Sequence, residues 1–182
     1  MKSAALLGVL LMAGASAQAL QVSTANLGSW EQSLDQALWE PAQASFELEV
    51  PEASGVLVAG IWPSAVEEGP TAYFRTSFVL AAPSTGWLAV GTDDDSTVWV
   101  NGHQVWSDND TVTTISTPIN ISAFLTLGDN SITASATSYY CCGRTFVLTA
   151  DLQPVPEPAT YAFWAAGLAG LGVALQRRRR AR

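Results

Sequence analysis

The stretch Val98-Trp99-Val100-Asn101-Gly102-His103-Gln104-Val105-Trp106 decides how the chain is read. Two apolar runs flank Asn-Gly, and these two residues accept the positive φ angles of a type I′ turn, whose twist matches that of the flanking strands. The segment is therefore a β-hairpin. Outward from it, short apolar runs separated by Gly, Pro, Asn and Asp predict strands near residues 45–50, 55–62, 73–80, 86–91, 97–100, 104–106, 113–116, 130–137 and 144–152. Period-two alternation is clearest at Phe46-Leu48-Val50 and Phe146-Leu148-Ala150. Short strands in this number predict an all-β fold, an antiparallel β-sandwich over residues 20–153. One segment departs from the pattern. Trp30, Leu34 and Leu38 recur at i, i+4 and i+8, with Ser29 and Gln32 spaced as a capping box, so a short helix is expected at Ser29–Trp39.

The two ends read as addresses. Residues 1–19 carry Lys2, an apolar run from Ala4 to Ala13 and an Ala-x-Ala exit, the pattern of a secretory signal peptide handed to the Sec export machinery. Residues 154–182 open with Val155-Pro156-Glu157-Pro158, continue without charge to Gln176, and end in Arg177, Arg178, Arg179, Arg180 and Arg182. The apolar part, Tyr161–Leu175, makes about 22 Å of helix. That is short against a hydrocarbon core of about 30 Å, yet a C-terminal transmembrane helix is expected, with its arginines cytoplasmic. Ala162, Ala166, Gly170 and Ala174 form an i, i+4 row where another helix can approach closely, or simply a low-bulk anchor.

Val-Pro-Glu-Pro, a short Gly/Ala/Leu-rich span and a terminal Arg run together resemble the PEP-CTERM sorting signal of Gram-negative bacteria. The resemblance implies recognition of Pro156, Glu157 and Pro158 by an exosortase, a membrane protease-transferase. It also implies passage through the inner membrane to the cell surface or extracellular matrix, in a cell that makes exopolysaccharide. The prolines supply a physical part of this, since neither donates a backbone hydrogen bond and both favour an extended segment.

A second resemblance covers about residues 60–152. Ile61-Trp62-Pro63, Tyr73-Phe74-Arg75-Thr76-Ser77-Phe78, Asp93-Asp94-Asp95 before the hairpin, and Ile119–Leu125 followed by Leu127-Gly128-Asp129-Asn130-Ser131-Ile132 resemble galactose-binding-like jelly rolls in their order. This speaks to fold more than to ligand.

Charge narrows the function classes. Between residues 20 and 155 only Arg75 and Arg144 face fifteen of the sixteen acids, a formal charge of −13. Such a body repels phosphate backbones, which excludes nucleic acid as a partner. Arg75 and Arg144 are expected to pair with carboxylates. One histidine, His103, and two cysteines do not make a zinc site. There is no Gly-x-Ser-x-Gly elbow and no phosphate-cradling glycine motif, and Glu67 and Glu68 are adjacent rather than opposed as a glycosidase requires. A non-enzymatic protein is expected.

Three groups remain as candidate sites. Asp93, Asp94 and Asp95, with Asp108 and Asp110 nearby, could hold Ca²⁺ through oxygen or form a solvated turn. Trp87, Trp99 and Trp106 could stack on sugar rings or fill the core; if Val98 and Val100 face inward, Trp99 faces out. Adjacent Cys141 and Cys142 could close a vicinal disulfide, bridge to another chain or remain thiols. The expectation is an exported surface or matrix protein that associates with polysaccharide. The alternatives are a purely structural biofilm component and a calcium-dependent carbohydrate-binding adhesin.

Overall fold

The computed structural model describes residues 18–49, 57–64, 69–139, 144–156 and 158–180. All but the last two positions of the expected signal peptide lie outside these, as do Cys141, Cys142 and Glu157. In chain order the strands are β1 Leu20–Ser23, β2 Trp30–Ser33, β3 Glu40–Pro41, β4 Ala44–Glu49, β5 Leu57–Ile61, β6 Thr71–Leu80, β7 Ser84–Asp93, β8 Asp95–Val100, β9 His103–Asp108, β10 Thr114–Ile115, β11 Ile119–Asn120, β12 Gly128–Thr137 and β13 Thr145–Pro154. The nine predicted strands correspond to β4 through β10, β12 and β13. The very short β3 and β11, and β1 and β2 near the N-terminus, carry too little alternation to be read in advance.

All pairings are antiparallel. One sheet has the order β10-β7-β13-β5-β4, with β1 also on β13 and β11 also on β7; the other runs β3-β2-β6-β12-β8-β9. The two sheets bury one shared core. Leu88, Val90, Phe146, Leu148 and Leu152 from the first meet Trp30, Phe74, Val98, Val100 and Ile132 from the second. At its centre Phe146 stacks on Phe74 with ring centroids 5.1 Å apart and meets Trp30 edge-on at 6.4 Å. Such aromatic pairs add about 0.5–1.5 kcal/mol each to their area burial.

The Asn101-Gly102 turn is as expected, with φ of +49° and +80°, and Val100 pairs with His103. A bulge follows: Val98 pairs with Trp106 while Trp99 pairs with Gln104, leaving Val105 as the extra residue.

The helix expected at Ser29–Trp39 does not form. Trp30 is 1% exposed on β2, whereas Leu34 and Leu38 are exposed, the latter 79%. An i, i+4 row of which only one member finds a core is no helix face. Gln32 is buried, donates to Glu40 Oε1 at 3.0 Å and accepts from the Gln43 amide, so it ties β2 to the next turn instead of capping a helix. Strand pairing with β6 outweighs the weak local periodicity.

The two outer faces differ. On the first sheet Val58, Ala89 and Val147 make a second buried cluster. On the second, β6, β8 and β12 alternate between inward residues, buried except for Phe78 and Gly128, and solvent-accessible outward ones.

After β13 the chain continues into helix α1, Pro158–Arg180, with Pro158 at its first position, where a missing N–H costs nothing. The expectation of a transmembrane helix is corrected here: no helix among the described residues is long and apolar enough to cross a membrane. The apolar part, Tyr161–Leu175, makes only about 22 Å of helix, and arginines fill the last turn.

Candidate functional site

The sandwich sorts the three candidate tryptophans by strand register. Leu88 is fully buried, so Trp87 points away from the core, and it is 46% exposed. It pairs with Asp151 on one side and Asn120 on the other, and Gln21 stands beyond Asp151. Trp99, between the buried Val98 and Val100, is half-buried on the opposite face of the molecule. Trp106 faces inward. The bulge turns it to Val98's side, it packs on the core, and its indole N–H donates to Ser96 Oγ at 3.2 Å. The three tryptophans therefore do not form one platform.

Trp99 stands in a transverse row. Glu31, Arg75, Thr133, Trp99 and Gln104 oppose one another across β2, β6, β12, β8 and β9. The adjacent row holds Ser33, Tyr73, Ser135, Thr97 and Ser107. Arg75 Nε donates to Glu31 Oε2 at 2.6 Å, and its guanidinium carbon lies 4.0 Å from the Trp39 ring centre. The expected ion pair is thus present for Arg75. The alternation Tyr73, Arg75, Ser77 against Phe74 and Thr76 signals this face; the approach of Trp39 has no signal in the sequence.

Arg144 borders a cavity of about 280 Å³ with Phe46, Trp62 and Ser64. The buried Trp62 indole N–H lacks a partner among the described residues, and the Arg144 carbonyl accepts from Ser45 Oγ.

The aspartates are held separately. Asp93 Oδ1 accepts from Thr113 Oγ1 at 2.6 Å, Asp94 Oδ2 from the Tyr139 amide at 2.6 Å, and Asp95 Oδ1 from the Thr111 amide at 3.1 Å. Asp110 Oδ1 accepts from the Val112 amide and Thr114 Oγ1. Asp95 also accepts from the Tyr139 hydroxyl, which with its negative charge raises the Tyr139 pKa. Among the described residues no three His, Cys, Asp or Glu side chains stand where they could share a metal ion. Asp93 closes β7 in the first sheet and Asp95 opens β8 in the second, and each carboxylate is claimed by a different partner.

At the chain's end, the Val155 amide donates to the Pro83 carbonyl at 2.8 Å, anchoring the exit from β13. Beyond it Val155 and Pro156 are exposed, as is every described side chain of α1. Trp164, Leu168, Leu171 and Leu175, spaced i, i+4, i+7 and i+11, lie on one helix face.

Fold and tail together define an antiparallel β-sandwich that carries a C-terminal sorting signal. That signal is the PEP-CTERM protein-sorting motif, which matches residues 154–180. No curated protein matches the chain. Among solved structures, a glycosyl hydrolase family 2 member from Bacteroides cellulosilyticus is similar over 74% of this chain and 21% of its own, at 14% identity and a TM-score of 0.49. A β-D-glucuronidase from Dictyoglomus thermophilum is similar over 78% of this chain and 29% of its own, at 15% identity and a TM-score of 0.46. A Faecalibacterium prausnitzii β-glucuronidase is similar over 80% and 33%, at 11% identity and a TM-score of 0.46. The chain spans a fifth to a third of these proteins' lengths.

Proposed function

We propose that the chain is an exported, non-enzymatic surface or matrix protein, processed by an exosortase, whose sandwich associates with exopolysaccharide. The sorting motif at residues 154–180 carries the first part. The outward, half-buried Trp99 supports the second, because an aromatic ring that the fold leaves partly in water is suited to the apolar face of a sugar ring. The exposed apolar face of α1, followed by arginines, suits a processing enzyme embedded in the membrane.

Deletion of residues 155–182 in the native host tests the sorting role. Fractionation should find the truncated protein soluble in the periplasm, and the full-length protein at the surface with a mass lacking the tail. Unchanged surface delivery of the truncation overturns this reading.

A further inference from the structure

We infer that the outer face of the second sheet, centred on Trp99 and Tyr73, is the docking face for an extended, uncharged polysaccharide; this rests on the polysaccharide reading above and gives it a place. The face is open across β6, β12 and β8, since every outward residue of these strands reaches solvent. Its middle is made of two aromatic rings, Tyr73 and Trp99, and the hydroxyls of Thr97, Ser131, Thr133 and Ser135. Hydroxyls that both donate and accept suit a polymer of hydroxyls, and rings suit the flat sides of pyranoses. Tyr73 and Trp99 stand on strands separated only by β12 and in adjacent rows, about 9.5 Å apart across the strands and about 7 Å along them, so about 12 Å on the diagonal, the reach of two to three sugar units.

Charge selects the polymer. Arg75, the one cation on the face among the described residues, is neutralised by Glu31, and Asp95 and Asp129 lie at opposite ends of it. The body around it is strongly acidic, so a polyanion is repelled while a neutral chain meets an uncharged strip. Trp87, on the other sheet, is outside this face.

Affinity electrophoresis of the full chain through gels containing a soluble neutral β-glucan, a neutral galactomannan or the polyanion alginate tests the assignment. Retardation by a neutral polymer is expected, equal at low and high salt. Trp99→Ala and Tyr73→Ala should each weaken it about tenfold, the size of one aromatic contact. Trp99→Phe should retain most of it, and Trp87→Ala all of it. Thr133→Arg, at an exposed position in the Trp99 row, should abolish it even if Trp99→Ala proves unstable in thermal melts. If Trp87→Ala alone loses retardation, the polysaccharide reading stands and the assigned face is overturned. Retardation by alginate only overturns the uncharged ligand, and retardation by none of the polymers overturns the polysaccharide reading itself. A dimer dissociated by Thr133→Arg would make a second copy the occupant and overturn the proposal.

Discussion

Asn101 and Asn130 are locked together across the sandwich edge, with the Asn101 side-chain amide donating to Asn130 Oδ1 at 2.8 Å. Each then fastens a different loop. Asn101 also donates to the Phe124 carbonyl and accepts from the Ser131 amide. Asn130 donates to the Thr126 and Gly128 carbonyls and accepts from the Thr126 amide. The hairpin turn and the loop before β12 are thereby one hydrogen-bonded unit.

Asn130 is 3% exposed, so its removal strands several buried polar groups. Asn130→Ala should lower the unfolding free energy by about 2–3 kcal/mol. Asn130→Asp should also destabilise, because a carboxylate cannot donate to the two carbonyls. Urea denaturation measures both, and a change in Asn130→Ala below about 0.5 kcal/mol would contradict the network's role.

Gly60 sits where β5 meets β13. A Cβ there would collide with Thr145 Oγ1 and come within 2.5 Å of the Phe46 carbonyl oxygen. Gly60→Ala should cost about 1–3 kcal/mol through overpacking. Adding Thr145→Ala should recover only part of it, since the second obstacle is backbone. Full recovery in the double variant would show that the carbonyl contact is harmless.

Trp30 and Leu38 separate the strand from the helix reading of the same segment. Trp30→Ala should destabilise by about 3–5 kcal/mol, having lost a fully buried ring and an indole bond to the Ser23 carbonyl. Leu34→Ala and Leu38→Ala should change stability by less than about 0.5 kcal/mol. Comparable losses at all three positions would restore the helix.

Asp35 and Tyr139 set opposite ends of the pH profile. The amides of Leu38 and Ala37 donate to the Asp35 carboxylate and hold its pKa below the ordinary value. That contribution is present above the unfolded-state pKa and lost as pH falls through the folded one. Asp35→Ala should therefore flatten the acid limb of stability against pH. Tyr139 is the reverse case. Its pKa is raised by donation to Asp95, so its contribution is present below the unfolded-state value and lost as pH rises through the folded one. Tyr139→Phe should flatten the alkaline limb in thermal melts from neutral to strongly alkaline pH. Unaltered limbs in both variants would remove these residues from the titration.

Much of this protein is legible without coordinates, because its cues are local. Asn101-Gly102 dictates a positive-φ turn in any context, and runs such as Phe146-Leu148-Ala150 need only one wet and one dry face to become a strand. The PEP-CTERM tail is likewise a contiguous string, met by its reader as sequence. The rest depends on what approaches from far along the chain. Whether Trp30 opens a helix or completes a strand was settled by β6, some forty residues on; Trp106 turned inward because a bulge at Val105 re-phased its strand. Asp93, Asp94 and Asp95 are neighbours in sequence, yet the chain passes from one sheet to the other between Asp93 and Asp95, and distant partners claim the carboxylates singly. Arg75, Thr133 and Trp99 are scattered in sequence and stand side by side only because antiparallel register aligned three strands, and register follows from which faces the shared core buries.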